Sequence, residues 1–167
     1  MDFEITHSFP APPGDVAAVL LDRRFQDSLA EVSTALSARE VLSQEERGDG
    51  TVIRRVRCVL GVDLGAAKTF IGDSEPAWVE EARWNPGAMA WTWEIEPEVG
   101  GQLLTASGTV ELDGGPEETA RTVLGDVRVK VPLYGGRVEG LIVEHLEGAY
   151  DEEAHRIEQW LRSRAGT

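Results

Sequence analysis

The sequence predicts an α+β fold in which a curved antiparallel sheet of about six or seven strands receives one long C-terminal helix, on three observations. First, between Pro132 and Ser163 apolar residues recur at Val138, Leu141, Ile142, Leu146, Ala149, Tyr150, Ile157, Trp160 and Leu161, the three-and-four spacing of a single helical stripe. Second, the middle of the chain consists of alternating segments with close turn signals between them, the pattern of an antiparallel meander. Third, the element order is a strand, two small helices, a run of about six strands and then the long helix. A sheet of this kind leaves one concave apolar face, and the last helix is its natural occupant.

In chain order, Phe3, Ile5, His7 and Phe9 alternate with Glu4, Thr6 and Ser8, a half-buried strand with His7 on the apolar side. Pro10, Pro12, Pro13 and Gly14 stop it, Asp15 can cap a helix through Val16 to Leu21, and a second short helical piece follows around Phe25 to Val32. The pattern from Leu36 to Arg47 is weak. Asp49-Gly50 is a turn signal, and Thr51 to Leu60 reads as a strand with Val52, Val56, Cys58 and Leu60 on one face. Arg54, Arg55 and Arg57 read as exposed strand charges paired with Glu80 and Glu81. Leu60 to Gly72 lacks alternation and is expected to be a loop or short helix and the mobile part of the molecule. Trp78 to Trp84, Met89 to Glu96, Leu103 to Leu112 and Thr119 to Val131 complete the strands. The final helix is predicted from about Gly136 to about Ser163, roughly 40 Å at 1.5 Å per residue. Gly140 and Gly148 each cost about 1 kcal/mol in a helix interior, and their missing side chains leave room for close approach of a strand or ligand. With His145 and Glu153 interrupting the stripe, this is the pattern of a helix that lids a cavity rather than one that only fills a core.

At 167 residues the chain is read as one domain, residues 1–167, able to bury a real core. No apolar run approaches the ~20 residues of a membrane span, so stable membrane insertion is not expected. The opening MDFEITHSFP enters a strand with no basic segment, which reads as no signal peptide, and the single Cys58 fits a reducing cytoplasm. Sixteen Lys and Arg against 30 Asp and Glu give a net charge of -14, which serves solubility and repels phosphate backbones, so nucleic acid is the partner class most disfavoured.

Trp91, Trp93 and Ile95 share one parity with Met89 in line, which suits core packing first and an aromatic wall for a greasy ligand second. His7 and His145 can both face a cavity; converging with Glu153 or Tyr150 they would orient a ligand hydroxyl or act as acid and base, although a structural hydrogen bond is the commoner role of such a histidine. Trp160 reads as a helix-to-sheet anchor, the run Asp151-Glu152-Glu153 as a solvated face, and Gly135-Gly136 as a strand-to-helix turn rather than an anion site. His145 and His155 are ten residues apart and lack metal-ligand spacing, and neither a nucleophile elbow nor a phosphate loop is present, so no metal, cofactor or catalytic residue is assigned.

The opening FEITHSFPAPPGDVAAVLLD resembles the first strand, Pro-rich junction and first small helix of the START-like superfamily, which includes polyketide cyclases and birch-allergen-like proteins. The ending VRVKVPLYGGRVEGLIVEHLEGAYDEEAHRIEQWL is similar to the final strand and long helix of a bacterial branch, domain of unknown function 2505. The resemblance implies the helix-grip fold around a hydrophobic cavity that often holds lipids, sterols, polyketides or hormones. The glycine-rich loop of the plant allergen branch is missing here, which argues against recognition of the plant-hormone type. The expected ligand cavity comprises His7, Trp91, Trp93, Ile95, His145, Ala149, Tyr150 and Glu153. The leading expectation is a protein that binds or carries a small hydrophobic molecule, with a homodimer compatible with it. A cyclase- or dehydratase-like enzyme using cavity His and Tyr, and a protein-interaction module with a filled core, are the alternatives.

Overall fold

The computed structural model describes residues 1–65, 68–71 and 75–166. The chain runs β1 (Asp2–Phe9), α1 (Pro13–Leu21), α2 (Arg23–Ser28), a 3-10 turn (Leu29–Glu31), β2 (Leu36–Glu46), β3 (Val52–Leu60), α3 (Lys68–Ile71), β4 (Ala77–Asn85), β5 (Ala90–Pro97), β6 (Leu104–Gly114), β7 (Thr119–Val129) and α4 (Gly135–Ala165). The strands form one seven-stranded antiparallel sheet in the order β1-β7-β6-β5-β4-β3-β2. The meander supplies every neighbour except β1, which returns to the far edge of β7. This is the predicted α+β helix-grip architecture, with α4 lying against β7, β1 and α1.

At three places the structure adds to the sequence expectation, and at one of them, the Asp15 cap, it overturns it. The weak segment from Leu36 is the edge strand β2, and its register shifts between Leu36 and Ala38 and between Val41 and Ser43. Each irregularity inserts a residue and flips the alternation, which removes the period-two signal. Asp15 does not cap α1; the helix begins with Pro13 at its first position, and Asp15 lies in the first turn, where its charge complements the helix dipole. Asp22 caps α2 instead, accepting from the Arg24 amide at 2.9 Å. The segment Leu60 to Gly72, expected as loop or short helix and as the mobile part, holds the single helical turn α3, while its residues 66, 67 and 72 lie outside the described residues.

Strand parity places Phe3, Ile5 and Phe9, Trp91 and Trp93, and Val123 and Val127 in the core beneath the helices. One row across four strands pairs Trp93 with Gly108, Gly108 with Gly125 and Gly125 with Phe3. A Cβ on Gly108 would stand 2.7 Å from Trp93 Cζ2, and one on Gly125 would stand 2.4 Å from Phe3 Cζ. The two glycines are therefore required for the aromatic rings to lie flat over the sheet, with centroids 6.3 Å apart.

Helix α4 has 31 residues, about 46 Å at 1.5 Å per residue. Its C-terminal half closes the core: Ala154 and Ile157 are buried, and Trp160 meets Phe25 edge-on at 5.4 Å. Trp160 thus anchors helix to helix rather than helix to sheet. Gly135 is the glycine that its start demands, since a Cβ there would lie 2.3 Å from the Val129 carbonyl oxygen. Gly140 and Gly148 do not serve close approach: a Cβ on Gly148 would meet nothing within 4 Å, and one on Gly140 only Met1 Cε at 3.6 Å.

Candidate functional site

The N-terminal half of α4 and the concave face of the sheet line a cavity of about 290 Å³. Its walls are largely apolar, with Val56 and Cys58 from β3, Ile95 from β5, Ala106 from β6, Val127 from β7 and Leu141 and Leu146 from α4. Among the expected cavity residues, Trp93, Ile95, His145, Ala149, Tyr150 and Glu153 line this space. His7 and Trp91 stand outside the lining. Trp91 packs on Trp84 at 5.3 Å and under the Arg54 guanidinium at 4.5 Å, because it lies one row nearer the helices α1 and α2.

His7 belongs to a polar cluster behind the cavity. Its strand neighbour Arg121 is fully buried and pairs with the Glu153 carboxylate, donates to the Tyr150 carbonyl oxygen at 3.2 Å and reaches His7 Nδ1 at 3.0 Å. An arginine can only donate, so Nδ1 accepts, and the proton on His7 Nε2 donates to Asp151 at 2.7 Å. Glu152 accepts from the Thr34 amide and hydroxyl at 3.1 and 2.6 Å. The run Asp151-Glu152-Glu153 is therefore not merely a solvated face: its members tie α4 to β1, to the turn after α2, and to β7.

The three arginines of β3 also depart from the expectation of exposed charges. Arg55 and Arg57 do face outward, with Arg55 near Glu81 at 3.8 Å and Arg57 on Glu98 at 2.5 and 2.9 Å. Arg54 is buried and donates to the Leu20 carbonyl oxygen at 2.9 Å, satisfying an orphan carbonyl at the end of α1. Burial pulls its pKa down to about 10, with Glu80 opposing the fall. Arg39 binds the Gln26 backbone and side-chain oxygens at 2.5 and 2.7 Å. Both arginines thus fasten the small helices to the sheet. The parity that puts Val52 and Val56 inward also puts Arg54 inward, and Thr119 and Val123 do the same for Arg121; this was the available signal.

Glu80, on β4, is the cavity residue that charge patterning concealed. It shares parity with Trp78, Ala82 and Trp84, lines the cavity, and makes no hydrogen bond or ion pair among the described residues. Burial raises its pKa above the ordinary carboxylate range, and nearby Arg39 and Arg54 offset part of the rise. Burial likewise raises the Tyr150 phenol, and pushes the Cys58 thiol up to about 12. His145 donates through Nδ1 to the Leu141 carbonyl oxygen at 2.7 Å, which fixes the ring on the cavity wall.

This arrangement, a curved antiparallel sheet gripping a long helix over an apolar cavity, is the helix-grip fold. Residues 4–161 match the model of a family described as "Protein of unknown function (DUF2505)", and the chain belongs to that family. No curated protein matches. Among solved structures, the chain is similar to TTHA0849 from Thermus thermophilus, with 19% identity, a TM-score of 0.69 and coverage of 98% of this chain and 99% of that one. It is similar to the Zhui aromatase/cyclase from Streptomyces sp. R1128 at 14% identity and a TM-score of 0.69, covering 99% and 95% of the two chains. A START superfamily protein from Mycobacterium smegmatis matches at 18% identity and a TM-score of 0.63, covering 95% and 98%. At these identities the likeness is one of fold. Among the described residues no helix is long and apolar enough to cross a membrane.

Proposed function

We propose that this protein binds and carries a small, largely apolar molecule between its sheet and α4. The observation that carries the reading is the cavity itself: about 290 Å³, walled mainly by aliphatic and aromatic side chains, with a few polar groups around it. That volume sits at the lower edge of the about 300–1,000 Å³ of small-molecule sites, which favours a compact ligand over a long two-chain lipid. Native mass spectrometry of the purified protein, followed by solvent extraction, is expected to release a bound hydrophobe in one-to-one ratio. Recovery of ligand-free protein that also takes up no added hydrophobe would overturn the proposal.

A cyclase-like activity is the second reading, supported by Glu80, His145, Tyr150 and Glu153 sharing one lining and by the fold likeness to an aromatase/cyclase. His145 Nε2 would accept a proton from an activated carbon, and the Tyr150 phenol, held protonated by burial, would donate a hydrogen bond to a carbonyl oxygen. A polyketone probe that closes a ring by this chemistry loses one water per ring, a mass change that Tyr150→Phe is expected to slow. An unchanged probe mass in the presence of bound ligand favours carriage alone.

A further inference from the structure

We propose, resting on the ligand reading above, that Glu80 is the specificity-determining group of the cavity and that it selects apolar ligands bearing a neutral hydroxyl. The register isolates this carboxylate. It stands opposite Val56 on one side and Ile95 on the other, with Val41 beyond Val56, so its own row of the sheet is otherwise apolar. Four other inward charged groups have structural work: Arg39 holds Gln26, Arg54 holds the end of α1, and Arg121 and Glu153 hold each other. Among the described residues Glu80 holds nothing. Half-buried on the cavity wall, its carboxylate adds no contact to the fold. A ligand hydroxyl donating to it supplies the missing partner.

The neighbouring rows decide which donor fits. Arg54 lies in the row on one side, opposite Ala82, and Arg39 in the row on the other, opposite Cys58. Their charges favour the ionised acid and repel an ammonium group, so a neutral hydroxyl is accepted in preference to an amine. The Tyr150 hydroxyl, which makes no hydrogen bond among the described residues, offers a second polar point from the helix side of the same cavity. The remaining walls demand an apolar body. A site that must hydrogen-bond a hydroxyl rejects the analogue without one more strongly than a greasy pocket rejects a lost methylene.

The test compares 2-naphthol with 2-methoxynaphthalene, which share the ring system and differ in the donor, by competition against the neutral dye N-phenyl-1-naphthylamine. Wild-type protein is expected to prefer 2-naphthol by about tenfold, the size of one hydrogen bond whose loss leaves a polar group unpaired. Glu80→Leu is expected to bind both with preference reduced to within about twofold, and Glu80→Gln, which keeps an acceptor without the charge, to fall between. A wild-type preference below about twofold, or a preference retained in Glu80→Leu, overturns the assignment of selectivity to Glu80. Failure of wild-type protein to bind either compound overturns the ligand reading itself. Thermal melts of both variants, expected at or above the wild-type midpoint, separate a lost preference from a lost fold.

Discussion

Arg121 has no exposed side-chain surface, yet it is an arginine, and its surroundings explain how the fold tolerates it. The guanidinium faces Glu153, the Tyr150 carbonyl and His7 Nδ1, and lies 5.5 Å from the Phe9 and Tyr150 rings. Removing one partner from such a set leaves a buried polar group unpaired. Arg121→Met is therefore expected to lower stability by about 3–5 kcal/mol in urea denaturation, whereas a loss below about 1 kcal/mol would show the cluster to be incidental. Glu80 makes the opposite prediction. Because burial raises its folded-state pKa, folding favours the protonated acid; that contribution is full below the unfolded carboxylate value and is lost as pH rises through the folded one. Glu80→Gln should match wild type in acid and exceed it near neutral pH, with melting midpoints rising about 2–4 °C for each kcal/mol relieved. A difference that does not change with pH would contradict the role assigned to burial. Of these residues, Arg121 and Glu80 were legible by parity alone, as was Arg54, but for Arg54 and Glu80 opposite charges on adjacent strands suggested surface pairing. Parity had the stronger physical basis, because a one-residue change of face moves every side chain of the strand.

The long helix α4 divides into a half that packs and a half that covers. Beyond Glu153, Ala154, Ile157 and Trp160 join the core; before it Val143 does so as well, while Leu141, Leu146 and Ala149 line the cavity. The acidic run sits at the boundary, and its ties to His7, Thr34 and Arg121 hold the covering half at its distance from the sheet. The stripe and the ends of this helix were readable from periodicity; the ties were not, since their partners lie far away in sequence, in β1, β7 and the turn after α2. Two glycine substitutions test the packing. Gly125→Ala drives a methyl into Phe3 and Trp93 and is expected to cost about 1–3 kcal/mol, while Gly148→Ala meets open space and should stabilise α4 by about 1 kcal/mol. Equal effects of the two in thermal or urea melts would contradict the aromatic row described for the sheet.

For the molecule as a whole, the element order sufficed for the α+β class, and the resemblance of both ends supplied the grip of sheet on helix. The bulged edge strand β2 was hidden because its irregularities cancel the alternation that reveals strands. A cavity is harder to read than a fold, because the same apolar residues fill a core or line a space depending on how far one helix stands from the sheet. Here Trp91 falls in packed core and Trp93, two residues along the same face, reaches the cavity. The central claim is that this space receives a ligand. Titration with N-phenyl-1-naphthylamine, comparing wild type with Ala149→Trp, whose indole would occupy the cavity from α4, tests it most directly. Saturable one-to-one binding is expected for wild type and at least about tenfold weaker binding for the filled variant, which keeps its cooperative melt. Equal binding by the two proteins, or no saturable binding by wild type, would contradict the central claim.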